Sequence, residues 1–412
     1  VIPSSIFRGE KNIYLPVFFL SFFPSFMLVT FNVGSMTIGL VLSMLIIHVL
    51  YIFSFRVRLT RLHFLLSFVV LFSIINSVVQ NYEVLSYKAM LNWFLFFYFL
   101  LFTLLLSKFL VKFKDKELNI QIRNISYYFI IIAFFSILIN FNYPFPGYTN
   151  LHKAIFPFAE PSHFALTAAY FLIPAGVLYN QKQRVLILCC TLFLAFCLPS
   201  SVMLVVSLIM LYLFFVGTGV LRICIILFFT TIGFFLFYSL KDANPDTLIY
   251  FTSRMTYDED TTNVSLLVFL MGWQDAINSL IATNGLGLGI FQMGIAFKTG
   301  EFGERIYDLV GSYKNLKDGG SLGAKSISEF GVLGILMILL YLKQCFVSSE
   351  FILNHKNDKN IPSILILSHC WIVVFIIEIF VRATHYFSIG FILMLSALSI
   401  IKIFKGRLDG KL

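Results

Sequence analysis

Residues 89–111 read AMLNWFLFFYFLLFTLLLSKFLV, twenty-three positions with a single charge, Lys108, close to the end. Coiled as an α-helix at about 1.5 Å per residue, such a run is long enough to cross a hydrocarbon layer of roughly 30 Å. Comparable apolar runs recur along the chain. Of its 412 residues, 59% are apolar and 12% charged, whereas a soluble domain carries about 25% charged residues. Lipid is therefore the solvent for most of this surface. The alternating ten-residue strands of a membrane barrel are absent, so the expected class is an all-α polytopic membrane protein.

Working outward, spans are expected at 13–31, 33–55, 62–79, 89–111, 125–141, 162–180, 185–199, 202–217, 220–239, 329–347, 362–382 and 383–403. That makes about 12 transmembrane helices. The opening run 13–31 carries Pro16 and Pro24 and lacks a small-residue cleavage site, so it reads as a retained first span. The pair 185–199 and 202–217 turns at Pro199-Ser200-Ser201. With both termini cytoplasmic, 20 of the 30 basic residues fall on the inner side and seven more lie in one long outer loop. Lys88, Lys153 and Arg382 alone oppose the positive-inside rule. The net charge of +10 thus reports orientation and not nucleic-acid binding. Three regions result: residues 1–240 with nine spans, a large partly helical outer loop at 241–328, and residues 329–412 with three spans and the tail. The six cysteines fall within spans or near their inner ends, which implies no disulfide framework.

Two polar regions interrupt this pattern. One is 140–164, NFNYPFPGYTNLHKAIFPFAEPSHF; the other is the loop 241–328, with 10 acidic and 7 basic residues. A connection that long is usually functional. Within it, Leu266, Leu270, Trp273, Ile277 and Leu280 share one helical stripe, with Gln274, Asp275 and Asn278 on another face. The spacing predicts an interfacial amphipathic helix capped by Asn263, the alternative being a thirteenth span.

Residues 158–165 (FAEPSHFA), 284–291 (NGLGLGIF), 317–321 (KDGGS) and 329–334 (EFGVLG) occur in an order that resembles the Wzy-type O-antigen polymerases of Gram-negative inner membranes. Taken with the span count and the outer loop, the resemblance extends over most of the chain. It implies a fold related to lipid-linked glycosyltransferases and O-antigen ligases, a periplasmic loop, and glycosyl transfer between undecaprenyl-pyrophosphate-linked oligosaccharides. A chain-length regulator protein and a flippase are the protein partners it implies, beside membrane lipids. An O-antigen ligase or a lipid-linked oligosaccharide flippase are the alternative readings. No nucleotide, metal or prosthetic group is required, because the glycosyl phosphate bond is already activated.

Such a transfer has to accept one proton and stabilise a leaving pyrophosphate. Glu160 or His163, opening a helix at the outer mouth, suits the first task; helix-start chemistry at Glu160-Pro161-Ser162 is the alternative. Arg382, Arg254, Arg305 and Lys325 suit the second, with Asp318, Glu329 and His385 in the same layer. Glu378 and Arg382 stand one turn apart, and His385 follows on the same face if the helix continues. Arg382 then either forms an intrahelical ion pair with Glu378 or neutralises the lipid-linked pyrophosphate. Gly285, Gly287 and Gly289 read as a tight turn, with backbone approach to a phosphate as the alternative. Asp258-Glu259-Asp260 reads as a solvated loop ahead of a metal site. His48, His63 and His369 read as packing histidines.

Overall fold

The computed structural model describes residues 13–33, 35–52, 60–81, 87–139, 154–158, 160–216, 251, 253–254, 261–296, 298–358, 360–383 and 385–408. Among these the chain is helical, with no strand beyond one isolated bridge between Ile155 and Phe158. Sixteen α-helices follow one another: α1 (Tyr14–Ser21), α2 (Phe23–Phe31), α3 (Met36–Ile47), α4 (Arg61–Asn81), α5 (Tyr87–Leu110), α6 (Asp115–Leu138), α7 (Pro161–Leu178), α8 (Gln181–Cys197), α9 (Ser201–Phe215), α10 (Val264–Ala282), α11 (Glu301–Val310), α12 (Leu322–Phe330), α13 (Val332–His355), α14 (Ser363–Val374), α15 (Ile376–Phe380) and α16 (Ile389–Leu408). A short π-helix, His48–Ile52, continues α3.

Among the described residues seven helical segments are long and apolar enough to cross a membrane, and eight if the bent pair α1 and α2, which meet at 44°, is one span. The chain is thus a membrane protein of at least this many candidate crossings. Helices stand at eleven of the twelve expected positions, and the ninth, 220–239, lies outside the described residues. The helices at 33–55 and 202–217 come out short, as Met36–Tyr51 and Ser201–Phe215. Three boundaries move for identifiable reasons. α6 begins at Asp115 and not 125, because Asp115 and Glu117 are favourable in a first turn. The segment 362–382 breaks at Phe375 and ends at Phe380. The last helix starts at Ile389, so 381–388 is a connection and not the opening of a span.

Helices α7 and α14 form the centre. Every residue from His163 to Val177 is buried, as is almost every one from Ser363 to Val374. α7 packs on α6, α9 and α14, while α14 packs on α13 and α16, and α16 on α5. Trp371 fixes the α7–α14 contact by donating to the Tyr170 carbonyl at 2.9 Å. Phenylalanine serves both surfaces, as expected: on α5, Phe99 is fully buried and Phe94 fully turned outward.

The helix capped by Asn263 forms as expected, its side chain accepting from the Ser265 and Leu266 amides. Its packing differs from the expected arrangement. Leu267, Val268, Met271, Gly272, Asp275, Ala276 and Ser279 are buried against α11 and α12, while Ile277 and Ile281 are exposed. Asp275 is enclosed because Thr299 Oγ1 and the Gly300 amide both donate to it, at 2.9 and 2.8 Å. The polar face is therefore the protein-facing one. By length and composition α10 also qualifies as a candidate crossing.

At the end of the bundle opposite the N-termini of α7 and α9, two cations close helix C-termini. Arg184 donates to the carbonyls of Gly176 and Val177, and Lys356 to those of Leu213, Phe214 and Val216. The three packing histidines behave as read: His48 meets Tyr98, His63 meets Thr60 and Thr103, and His369 meets Ser348.

Candidate functional site

Glu160 sits at the N-cap of α7 in extended backbone, and Pro161 occupies the first turn as its fixed φ favours. Its carboxylate makes no capping bond to the helix. Instead Oε2 accepts from Ser162 Oγ at 2.8 Å and from Arg382 Nη2 at 2.8 Å. Helix-start chemistry explains the proline but not where this carboxylate points. Burial pushes the Glu160 carboxyl up, but His163, Arg382, Ser162 and Arg254 outweigh it and hold it at about 2. Glu160 is an ion-pair anchor as it stands, too weak a base to take a hydroxyl proton. His163, one helical turn into α7, is the better acceptor: its Nδ1 is buried with no hydrogen-bond partner among the described residues.

Arg382 reaches this position because α15 stops at Phe380. The intrahelical Glu378–Arg382 pair, one of the two readings of this spacing, does not form. A helix continuing through 385 would have set the two side chains one turn apart; the break sends Arg382 across to α7. Glu378 stays inside, accepting from Tyr170 Oη at 3.0 Å and from Ser388 Oγ at 2.6 Å. His385, also freed from the helix, bonds through Nε2 to Thr37 Oγ1 at 2.7 Å, at the start of α3. Arg254 donates to Ser201 Oγ and Ser265 Oγ, each at 3.2 Å, tying the starts of α9 and α10 together within electrostatic reach of Glu160.

A second cluster adjoins the first. Lys325 on α12 lies 3.5 Å from Asp318 and 3.8 Å from Glu329, and it also donates to the Lys317 carbonyl. With an exposure of 4% and two carboxylates around it, Lys325 is a neutralised anchor of the 315–321 turn and not a cation held out to a phosphate. Glu329 closes α12 and is completely buried; the tenth expected span starts after it, at Val332. His385 is within electrostatic reach of Asp318, Lys325 and His163, so it links the two clusters. Arg305, on α11, makes no ion pair or hydrogen bond among the described residues and joins neither.

The glycines at 285, 287 and 289 all take positive φ, at 85°, 78° and 91°. The turn is tight, and its amides are already used: Gly287 donates to Thr283 Oγ1 and Gly289 to the Glu329 carbonyl. Backbone capture of a phosphate is thereby set aside for this turn, which instead braces the α12–α13 joint, with Val332 donating to the Gly285 carbonyl. Asp258-Glu259-Asp260 lies outside the described residues, and among those described no group of three His, Cys, Asp or Glu side chains converges as a metal site.

Eight of the nine residues expected at the site therefore gather at one end of the bundle, in two adjoining groups. The partners Ser162, Tyr170, Thr37 and Ser388 were not foreseen, since none carries a signal beyond its residue type. Gln292, fully buried with neither side-chain amide atom bonded among the described residues, was missed likewise. Compared with known proteins, the chain matches no family model, no curated protein and no solved structure.

Proposed function

We propose that the chain polymerises lipid-linked oligosaccharide repeat units at the periplasmic face of a Gram-negative inner membrane, as an O-antigen polymerase. The observation that carries this reading is the meeting of Arg382, Glu160 and His163 at the ends of apolar helices. A guanidinium and an imidazole at that level suit a substrate whose pyrophosphate sits at the membrane boundary while its polyprenyl tail lies in lipid.

In this reaction the bond between the reducing-end sugar and pyrophosphate breaks as a hydroxyl oxygen of the next unit bonds to the same carbon. The hydroxyl proton passes to His163, and polyprenyl pyrophosphate leaves with the bonding electrons. Arg382 stabilises the developing charge, with Arg254 contributing from the α9–α10 side. Glu160 holds Arg382 in place through a charge-assisted bond and gives way when the phosphates arrive, since a dianionic group competes well for a guanidinium. Neither step needs a nucleotide.

Deleting the gene and resolving lipopolysaccharide on a gel tests the proposal. The expected result is core carrying one repeat unit, with long chains restored by the wild-type gene but not by His163→Ala. Bare core would refute polymerase activity and favour a ligase or flippase.

A further inference from the structure

Behind the Glu160–Arg382 pair lies a cavity of about 60 Å³, bordered by α1, α2, α3, α7 and the 387–389 segment. Its polar lining comprises Ser21, Ser25, His163, Thr167, Glu378 and Ser388. Two of these groups point to an occupant. His163 Nδ1 and Ser21 Oγ are buried without a hydrogen-bond partner among the described residues, on side chains 9% and 2% exposed. The rest of the lining is apolar, so the space, which has room for a few water molecules, holds them at these polar groups, from which each water needs two to four partners.

Glu378, 2% exposed, borders the same cavity. The groups facing it are hydroxyls: Tyr170 from α7 and Ser388 by direct bonds, and Tyr341 from α13 within electrostatic reach. His163 lines the same cavity, and Arg382, the cation of its own segment, is turned away to Glu160. α16 presents Gly390 there; a Cβ at that position would lie 1.7 Å from Glu378 Oε1. The carboxyl is thus held tightly, between hydroxyls, beside a space that His163 also lines.

We infer that His163 and Glu378 are the two ends of a water-bridged proton relay. Resting on the polymerase reading, the step balances as follows: the acceptor hydroxyl gives its proton to His163 as the glycosidic bond forms. His163 passes a proton through the cavity water to Glu378, which becomes neutral; once polyprenyl pyrophosphate has left, the proton returns by the same water and His163 to solvent, and both groups are reset for the next unit. The positive charge left by each transfer is thereby removed from beside Arg382 and quenched on a carboxylate. Glu378 is a positioning residue for the proton and does not touch the sugars.

The test uses membranes bearing the full chain, supplied with lipid-linked repeat units, and polymer formation is followed from about pH 6 to 9. Glu378→Gln keeps the shape and the hydroxyl contacts but cannot take the proton, and Ser21→Val fills the cavity while leaving both ends intact. Both are expected to lower the rate at least tenfold at neutral pH, with normal protein levels and a loss that shrinks as pH rises and solvent takes the proton instead. If Glu378→Gln fails to accumulate, Ser21→Val carries the test. Wild-type rates in an accumulating variant, or a loss uniform across pH, would overturn the relay. Should the wild-type chain itself make no polymer, the polymerase reading fails separately, and infrared titration of purified protein decides. A carboxyl band removed by Glu378→Gln, with a midpoint moved by His163→Ala, is the expected signature; a band indifferent to His163→Ala overturns the coupling.

Discussion

Replacing Glu160 by glutamine removes one charge from a pair whose side chains are 23% and 25% exposed and whose N···O distance is 2.8 Å. The change from a usual carboxyl value of 4.5 to about 2 corresponds, at about 1.4 kcal/mol per pH unit, to an upper limit of roughly 3.5 kcal/mol. Partial solvent access lowers that to about 2 kcal/mol, in line with a charged hydrogen bond worth about 1.5–3 kcal/mol. Because the folded carboxyl is more acidic than the unfolded one, the contribution is present in full above pH 4.5 and lost as pH falls through about 2. Thermal unfolding of the purified protein should therefore show Glu160→Gln less stable by about 2 kcal/mol at neutral pH, with the gap to wild type narrowing under acid. A double-mutant cycle with Arg382→Met should return a coupling above about 1 kcal/mol. Equal stability of Glu160→Gln and wild type at neutral pH, or a coupling near zero, would refute the pairing and the role given to Glu160.

Two further outcomes are expected. Gly287→Ala should cost about 2 kcal/mol or more, since its φ of 78° is compounded by a Cβ that would lie 2.4 Å from the Gly331 amide, whereas Gly311→Ala, at φ 67° in open space, should cost about 1 kcal/mol; equal melting temperatures for the two variants would discount the bracing role of the 285–289 turn. In the proposed orientation, alkaline phosphatase fused near residue 310 should be active and fused at residue 412 inactive, and the reverse pattern would invert the site relative to the membrane.

Helix existence was legible because runs such as 89–111 carry their solvent in their composition. Glu160 and His163 stand out through the 158–165 motif, and Arg382 through the cost of a charge beside an apolar span, which needs a reason. What the sequence hid was pairing. Glu378 and Arg382 are four apart, a spacing that favours contact only while the helix continues, and nothing local announces the stop at Phe380. The buried face of α10 is hidden in the same way: Asp275 looks solvent-seeking until Thr299 and Gly300, 24 and 25 residues away, donate to its carboxylate. Long-range hydrogen bonds of that kind leave no periodic trace.

The Lys356 ammonium bound to the last carbonyls of α9 bears on the bilayer itself. Fifteen residues make α9 about 22 Å long, some 8 Å short of an average hydrocarbon core. An exposed carbonyl end at that depth would be stranded without water, yet Lys356 fills it from the protein side. If α9 crosses the bilayer, lipid around it is expected to thin, drawing the two interfaces together at its ends. Under the proposed function, a shorter crossing would bring headgroups, and a lipid-linked substrate anchored among them, toward Arg254 and Arg382. Bilayer thickness then becomes a variable that the protein answers to, with thin-chain lipids favouring the geometry it already has.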